Sequence, residues 1–526
     1  MDDKNLAAAQ FGGRAHTLFF NSLLLCISAV LMRVVGVSFN VYVSNRVGAE
    51  AMGLYSLIMS VFGFALTLAN SGINLAVTRC VAEAGGRFRE TREVMRRSFL
   101  LALFFGSLSA VLLLLLAPVL SLRVLGEDRV LLPLRLCAVS LPAIAVTGVL
   151  SGYFSAVRRV WKSAAAQLTE QAVKIYATAA LLTLFLPRGP EFACCALVLG
   201  CAAADLTSCL LSFLLYLSDK RKLTSPERAA HAKHGRTTGR LLSISMPVAL
   251  SAYVRSGLTT LEHLLIPIGL AAFGGSRSDA LERYGVLNAM VLPVVLFPYA
   301  FIYSFTGLLV PEVAGAAAEH HRRRISYIAS RMWRLTVLFG LTCAAVMSVC
   351  SGELGQVLYG SRDAADDIRM LAPLLPVMYL DTVTDALLKG IGEQVFTMFV
   401  NIIDAGLSVL LVWLLLPRFG IRGYIAVLYI SELINFAFSA SRLFAKTRFS
   451  FDLFRWLFLP LACTAAVSRL ICRGLALFPL ASLPGWAALA VHIAGLLLAL
   501  GAAFRLSGAV DREYASWIKK ALSGKE

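Results

Sequence analysis

Apolar residues gather into runs of about twenty along the whole chain, with short polar stretches between them. About twenty apolar residues in a helix span the roughly 30 Å hydrocarbon core of a bilayer. A helix also satisfies its own backbone groups, which lipid cannot do. The runs fall near 18–43, 53–84, 98–120, 130–156, 163–186, 192–217, 241–272, 284–313, 332–359, 368–390, 397–417, 421–444, 456–478 and 485–506. The pattern predicts an all-α polytopic membrane protein with about 14 transmembrane helices.

Polar residues inside these runs are the exceptions that carry function. The first segment reads NSLLLCISAVLMRVVGVSFNVYV and places Arg33 in the middle of an otherwise ordinary span. The second carries Asn70, Asn74, Arg79 and Glu83 toward its end. A guanidinium at the centre of a bilayer costs roughly 2.5–3.5 kcal/mol on insertion scales, so it faces a wet cavity or a partner. These two segments therefore read as one wall of a central polar cavity. Arg79 has a second reading as an interfacial anchor paired with Glu83, one turn away. The seventh segment adds Arg255 and, two turns on, Glu262, close enough along the helix to interact. Glu170 and Lys174 are four apart on the fifth segment and read as an ion pair, while Asp205 is isolated in the sixth. Asp381 and Asp385 share a face of the tenth; Asn401 and Asp404 in the eleventh, with Glu432 and Asn435 in the twelfth, form a second polar cluster. Pro247, Pro293, Pro298, Pro373 and Pro376 predict bends, with segments seven and eight broken. Gly36, Gly63 and Gly72 are expected to allow close helix contact.

Charge settles orientation. The net charge is +18, yet only 15% of residues are charged and 58% are hydrophobic, so no basic domain stands apart to bind nucleic acid. The basic residues sit in alternate loops: 86–97, 220–240, 320–324 and 445–455. By the positive-inside rule those loops, and both termini, are cytoplasmic. The same loops would attract anionic membrane lipids. The eleven cysteines lie almost all inside apolar segments and read as small hydrophobes. No cleavable signal peptide is expected, because the first segment is too long for one. Similar basic-then-apolar transitions precede the third and ninth segments, and the fifth and eleventh end LFLPRGP and LLLPRFG. This weak repeat divides the chain into a six-helix lobe at 1–217, a basic linker at 218–240, a second six-helix lobe at 241–445, and two additional helices with a tail at 446–526.

Two stretches carry a specific resemblance. LMRVVGVSFNVYVSNRVGAEAMGLYSLIMSVFGFALTLANSGINLAVTRCVAEA and LSGYFSAVRRVWKSAAAQLTEQAVKI at 150–175 resemble the stage V sporulation protein B-like polysaccharide transporters. That family belongs to the multidrug/oligosaccharidyl-lipid/polysaccharide flippase superfamily and is related to MurJ. The resemblance implies two six-helix lobes in a V, and export by alternating access of a lipid-linked oligosaccharide, such as a peptidoglycan precursor. It implies a bacterial plasma membrane location, cell-envelope synthesis enzymes as partners, and use in spore cortex or vegetative envelope synthesis. Arginine suits a pyrophosphate because its planar fork donates paired hydrogen bonds and stays charged. Arg33, Arg255, Arg79, Asn70, Asn74 and Glu262 are accordingly the candidate substrate-binding residues. The chain departs from MurJ at Phe39-Asn40, where MurJ has an arginine–aspartate pair, which weighs against lipid II itself and leaves the flippase class standing. MurJ-like proteins are similar in placing a cation site among spans seven, eleven and twelve. That implies a coupling sodium ion or proton at Asp404, with Asn401 and Glu432, and no other cofactor. No Asp-x-Asp, His-x4-Asp or Walker A motif is present, so no enzyme is expected. The alternative is a multidrug/cation antiporter of the same superfamily, which would want an acidic rather than an arginine-lined cavity.

Overall fold

The computed structural model describes residues 30–70, 72–84, 88–222, 237–449, 451–477 and 484–510. Regular structure among these residues is entirely helical. The chain divides by its internal contacts into two compact units, residues 1–285 with 405–421, and residues 286–404 with 422–526.

The first unit holds α1 (30–47), α2 (Ala49–Asn70), α3 (Ile73–Ala84), α4 (Phe88–Pro118), α5 (Leu131–Ala138), α6 (Leu141–Ala156), α7 (Val160–Phe185), α8 (Pro190–Lys222), α9 (Thr237–Gly274) and α10 (Arg277–Gly285). Helices approach closely where one of them lacks a side chain. A Cβ on Gly152 of α6 would lie 2.7 Å from the Asn74 carbonyl of α3, and one on Gly200 of α8 would lie 2.1 Å from Thr178 Oγ1 of α7. Packing of this kind replaces the hydrophobic drive that lipid removes. Of the three glycines singled out from sequence, Gly72 is close-packed, with its absent Cβ 3.0 Å from Ser245 O. Gly63 is not: nothing lies within 4 Å. At the far end of α6, Tyr153 meets Tyr216 edge-on at 5.0 Å. Nearby, Asp219 of α8 takes Arg159 and, at 2.5 Å, Lys162, whose ammonium lies 5.7 Å from both the Phe154 and Trp161 rings.

The second unit holds α11 (Leu292–Val295), α12 (Tyr299–Ala318), α13 (Arg322–Val349), α14 (Ser351–Tyr359), α15 (Arg362–Leu371), α16 (Leu375–Gly390), residues 394–404 and 422–447 of α17 (Gln394–Thr447), α18 (Leu459–Leu477) and α19 (Gly485–Leu506). As one rod, the 54 residues of α17 would be about 81 Å long at 1.5 Å per residue, well over twice a hydrocarbon core. Gly420, with φ +58° and ψ −138°, breaks it into two segments. Its neighbour Pro417 cannot continue the hydrogen-bond ladder. Residues 405–421, most of the first arm and the break itself, pack in the first unit, with Leu416 against Gly269 and Phe273 against Gly420. Trp333 of α13 is ringed by Phe436, Phe444, Phe449 and Phe451 at 5.1–5.7 Å. The chain after α19 is held by Arg334, which donates to the Ala509 carbonyl and stacks over Trp456. Between α16 and α17, Glu393 takes Arg442 at 2.8 Å and Lys446 at 2.5 Å. This is the counterpart of the Asp219 tie, with the signs exchanged: two cations meet one helix-end acid in the first unit, and one loop acid meets two helix-end cations in the second.

Among the described residues ten helices are long and apolar enough to cross a membrane, or eleven when Asp128–Ala138 and Leu141–Ala156, bent by 43°, count as one span. Fourteen were expected. Part of the first segment lies outside the described residues. The fifth corresponds to α7, whose Lys162, Glu170 and Lys174 lower its apolar character, and the eleventh and twelfth are the arms of α17. Proline has unequal effects. Segment eight is broken as expected, with a π-helical stretch Val286–Val291 and an interruption at 296–298. Segment seven is not broken: α9 runs unbroken through Pro247 and Pro267. A membrane helix tolerates proline where its neighbours re-satisfy the freed carbonyl.

Candidate functional site

Segment two, expected as one helix, is divided: α2 stops at Asn70, Gly72 turns at φ +66°, and α3 begins at Ile73. The sequence signal was Asn-Ser-Gly, which reads as a turn but lay inside an apolar run. The pair α2–α3 packs along α9 through polar rungs. Thr260 donates to Ser60 O at 3.1 Å, Thr67 to Ser256 Oγ at 3.1 Å, and Tyr253 to Leu68 O at 3.5 Å. Segment two thus packs on segment seven, whereas the sequence reading paired it with segment one.

The candidate residues occupy different parts of this unit. Asn70 reaches α6, its Oδ1 sitting 2.9 Å from where a Cβ on Gly148 would be. Asn74 is exposed on α3, and its carbonyl accepts from Thr78 at 2.9 Å. Arg79 donates to Glu83 at 3.2 Å, the anchor pairing foreseen for it, and Glu83 also holds Arg240 at 2.6 Å. Arg240 was not singled out, because it closes a polar linker and looks like loop charge. Arg255 is exposed on α9 and, among the described residues, is not paired with Glu262, which is half-buried and engaged elsewhere. Arg33 is half-buried on α1 and has a partner of its own, while Gly36, one turn on, faces the Gln171 amide of α7. Glu170 and Lys174 form no ion pair with each other among the described residues; both lie within electrostatic reach of Asp205 on α8.

The second unit gathers acids. Asn401 donates to Asp385 at 3.3 Å and Ser439 to its other oxygen at 3.4 Å; Lys389 lies 3.4 Å away. Asn435 donates to Asp381 at 3.2 Å, and Ser431 donates to Asp404. Glu432 is within electrostatic reach of Asp381, Asp385 and Asp404. Helix α16 and the two arms of α17 thus bring four carboxylates together with one lysine. Asp381 Oδ1 and Asn435 Oδ1 are buried acceptors with no hydrogen-bond partner among the described residues. Two orphaned oxygens in an acidic cluster fit a small cation or a proton. No three His, Cys, Asp or Glu side chains among the described residues are placed to hold a metal ion. Asn401, Asp404 and Glu432, grouped from sequence, do come together. The sequence reading left Asp381 and Asp385 apart from them, because the distance from α16 to the far arm of α17 is invisible in one dimension.

Comparison with known proteins fixes the class. A family model described as polysaccharide biosynthesis protein matches residues 18–316, more than half of the chain. The chain belongs to the polysaccharide biosynthesis protein family. Among curated relatives of this family member, Stage V sporulation protein B of Bacillus subtilis (strain 168) is 28% identical over 413 residues, 78% of this chain and 80% of that one. Lipid II flippase MurJ of the same organism is 22% identical over 428 residues, 75% and 76% of the two chains. Among solved structures, lipid II flippase MurJ in an inward closed conformation shares the fold with a TM-score of 0.68 at 13% identity, over 94% of this chain and all of that one. An inward-facing multidrug resistance MATE family transporter gives 0.62 at 13% identity, over 81% of this chain and all of that one. The resemblance to stage V sporulation protein B-like transporters read from the sequence holds. The protein is a multi-pass membrane protein of this family, and its fold is shared by both solved transporters.

Proposed function

We propose that the protein flips a lipid-linked oligosaccharide, with a polyprenyl-pyrophosphate carrier, across a bacterial plasma membrane by alternating access. The observation that carries this reading is the set of arginines on membrane segments of the first unit: Arg33 on α1, Arg79 on α3, and Arg255, exposed on α9. Cations in a membrane wall are costly unless an anion uses them, and guanidinium binds pyrophosphate oxygens in pairs. The amides of Asn70 and Asn74 and the carboxylate of Glu262 would meet sugar hydroxyls. In the second unit, the Asp381–Asp385–Asp404–Glu432 cluster would take the coupling sodium ion or proton, whose positive charge offsets the acids when bound.

Both termini and the basic loops are cytoplasmic in this reading, and each six-helix half moves as a lobe. The kinship with Stage V sporulation protein B supports use in envelope synthesis during sporulation, beside enzymes that make and consume the lipid. The acid cluster gives a second reading its one argument, since a cation antiporter would also want buried carboxylates. The two readings separate on ligand sign. Undecaprenyl pyrophosphate should raise the thermal stability of the detergent-solubilised protein, and Arg33→Ala should abolish that rise. Stabilisation by ethidium alone would favour the antiporter.

A further inference from the structure

Glu83 is shared by two arginines from different membrane segments. Its Oε1 accepts from Arg79 Nε at 3.2 Å and its Oε2 lies 2.6 Å from Arg240 Nη2. The guanidiniums are open: Arg79 is 65% and Arg240 60% exposed, against 37% for Glu83. Among the described residues neither arginine has another partner, so most donors of both forks remain available. As a tie between helices the trio is poor, because exposed ion pairs add little to stability. As an anion receptor it is well built. One carboxylate fixes two planar forks on either side of itself, and the trio carries a net positive charge.

Its position agrees. Arg79 is near the end of α3 and Arg240 in the first turn of α9, the two elements of the polar-runged wall. Both helix ends adjoin basic stretches of sequence, 86–97 and 218–240, which face the cytoplasm by the positive-inside rule. A lipid made on that side would meet this trio before any deeper arginine.

We infer that Arg79 and Arg240, spaced by Glu83, form a docking clamp for the two phosphates of the incoming lipid headgroup. The inference rests on the pyrophosphate-lipid reading above and adds Arg240 to it. Each phosphate takes one guanidinium, and Glu83 acts as the internal anion that yields its hydrogen bonds when the substrate arrives. Transport then hands the pyrophosphate on from the clamp.

The test uses the full-length protein in nanodiscs, with binding measured for undecaprenyl pyrophosphate, inorganic pyrophosphate and phosphatidylglycerol. Arg240→Gln and Arg79→Gln should each weaken undecaprenyl pyrophosphate binding about tenfold or more, the loss expected for charge-assisted hydrogen bonds. Glu83→Gln should tighten inorganic pyrophosphate binding, because it removes the anion that competes for both forks, and an unchanged affinity would overturn the clamp. A merely structural trio predicts something else: all three variants lose thermal stability alike and keep wild-type affinity. That result overturns the clamp, as does unchanged binding by Arg240→Gln. Equal affinity for phosphatidylglycerol would make the trio a general anionic-lipid contact and also overturn it. If the wild-type protein binds no pyrophosphate lipid, the functional reading itself fails; if it binds and Arg240→Gln binds equally, only the clamp does.

Discussion

Gly53→Ala should loosen the first unit even though alanine is the better helix former. A Cβ at Gly53 of α2 would sit 2.1 Å from the Leu281 carbonyl oxygen of α10, and one on Gly285 would sit 2.0 Å from the Ala49 carbonyl oxygen. Carbon and oxygen do not normally approach within about 3.3 Å, so α10 must retreat by roughly 1 Å. The obstacle is backbone on both sides and no rotamer change relieves it. Tyr284, Leu281 and Ala280, all buried, would lose their seats with it. Overpacking of this kind costs about 1–3 kcal/mol, against a gain of about 1 kcal/mol in helix propensity. Gly63 in the same helix has nothing within 4 Å of its Cβ position, so Gly63→Ala keeps the gain alone. Thermal unfolding in detergent should therefore move in opposite directions for the two variants, with faster hydrogen exchange in 277–285 for Gly53→Ala only. Equal stabilisation by both would refute the close crossing of α2 and α10.

Other expectations concern charge. Lys446 and then Arg442, both hydrogen-bonded to Glu393, hold its carboxyl below the ordinary 4.5. The stability from this depressed acid is present above that value and disappears as pH falls through the lower folded one. Glu393→Gln should therefore flatten the acid limb of a stability–pH profile, and a superimposable limb would remove the tie. Asp404→Asn should leave the protein inserted but abolish the dependence of transport on a sodium or proton gradient; a gradient response kept at wild-type strength would exclude Asp404 from coupling. A cysteine in the 220–240 linker should react with impermeant thiol reagents only from the cytoplasmic side, whereas labelling from outside intact cells would invert the topology.

The helical membrane class was legible because burial in lipid forces long apolar runs, which composition and period report directly. The hairpin in α17 was legible too, since Pro417 and Gly420 interrupt a run far too long for one span. The break at Gly72 was less visible: so short a break inside an apolar run hardly changes its average. Pro247 misled in the other direction, because a proline reports a missing hydrogen bond and says nothing of the neighbours that tolerate it. In the sites, i to i+4 relations such as Arg79–Glu83 were readable. Contacts across helices were not. Arg240 reached Glu83 from a linker 157 positions on, and Asp381 met Asn435 from 54 positions away. Only packing supplies such distances.

The central claim is that the arginine-bearing wall moves a pyrophosphate-linked glycan lipid. It is tested most directly in proteoliposomes carrying a fluorescent undecaprenyl-pyrophosphate oligosaccharide, quenched from one side, with flipping counted per inserted molecule. Wild-type protein should expose the protected leaflet's lipid to quencher. Arg33→Ala should insert equally well, since removing a mid-membrane charge eases insertion, and expose none. Normal flipping by well-inserted Arg33→Ala, or wild-type protein that moves ethidium and leaves the lipid in place, would contradict the account.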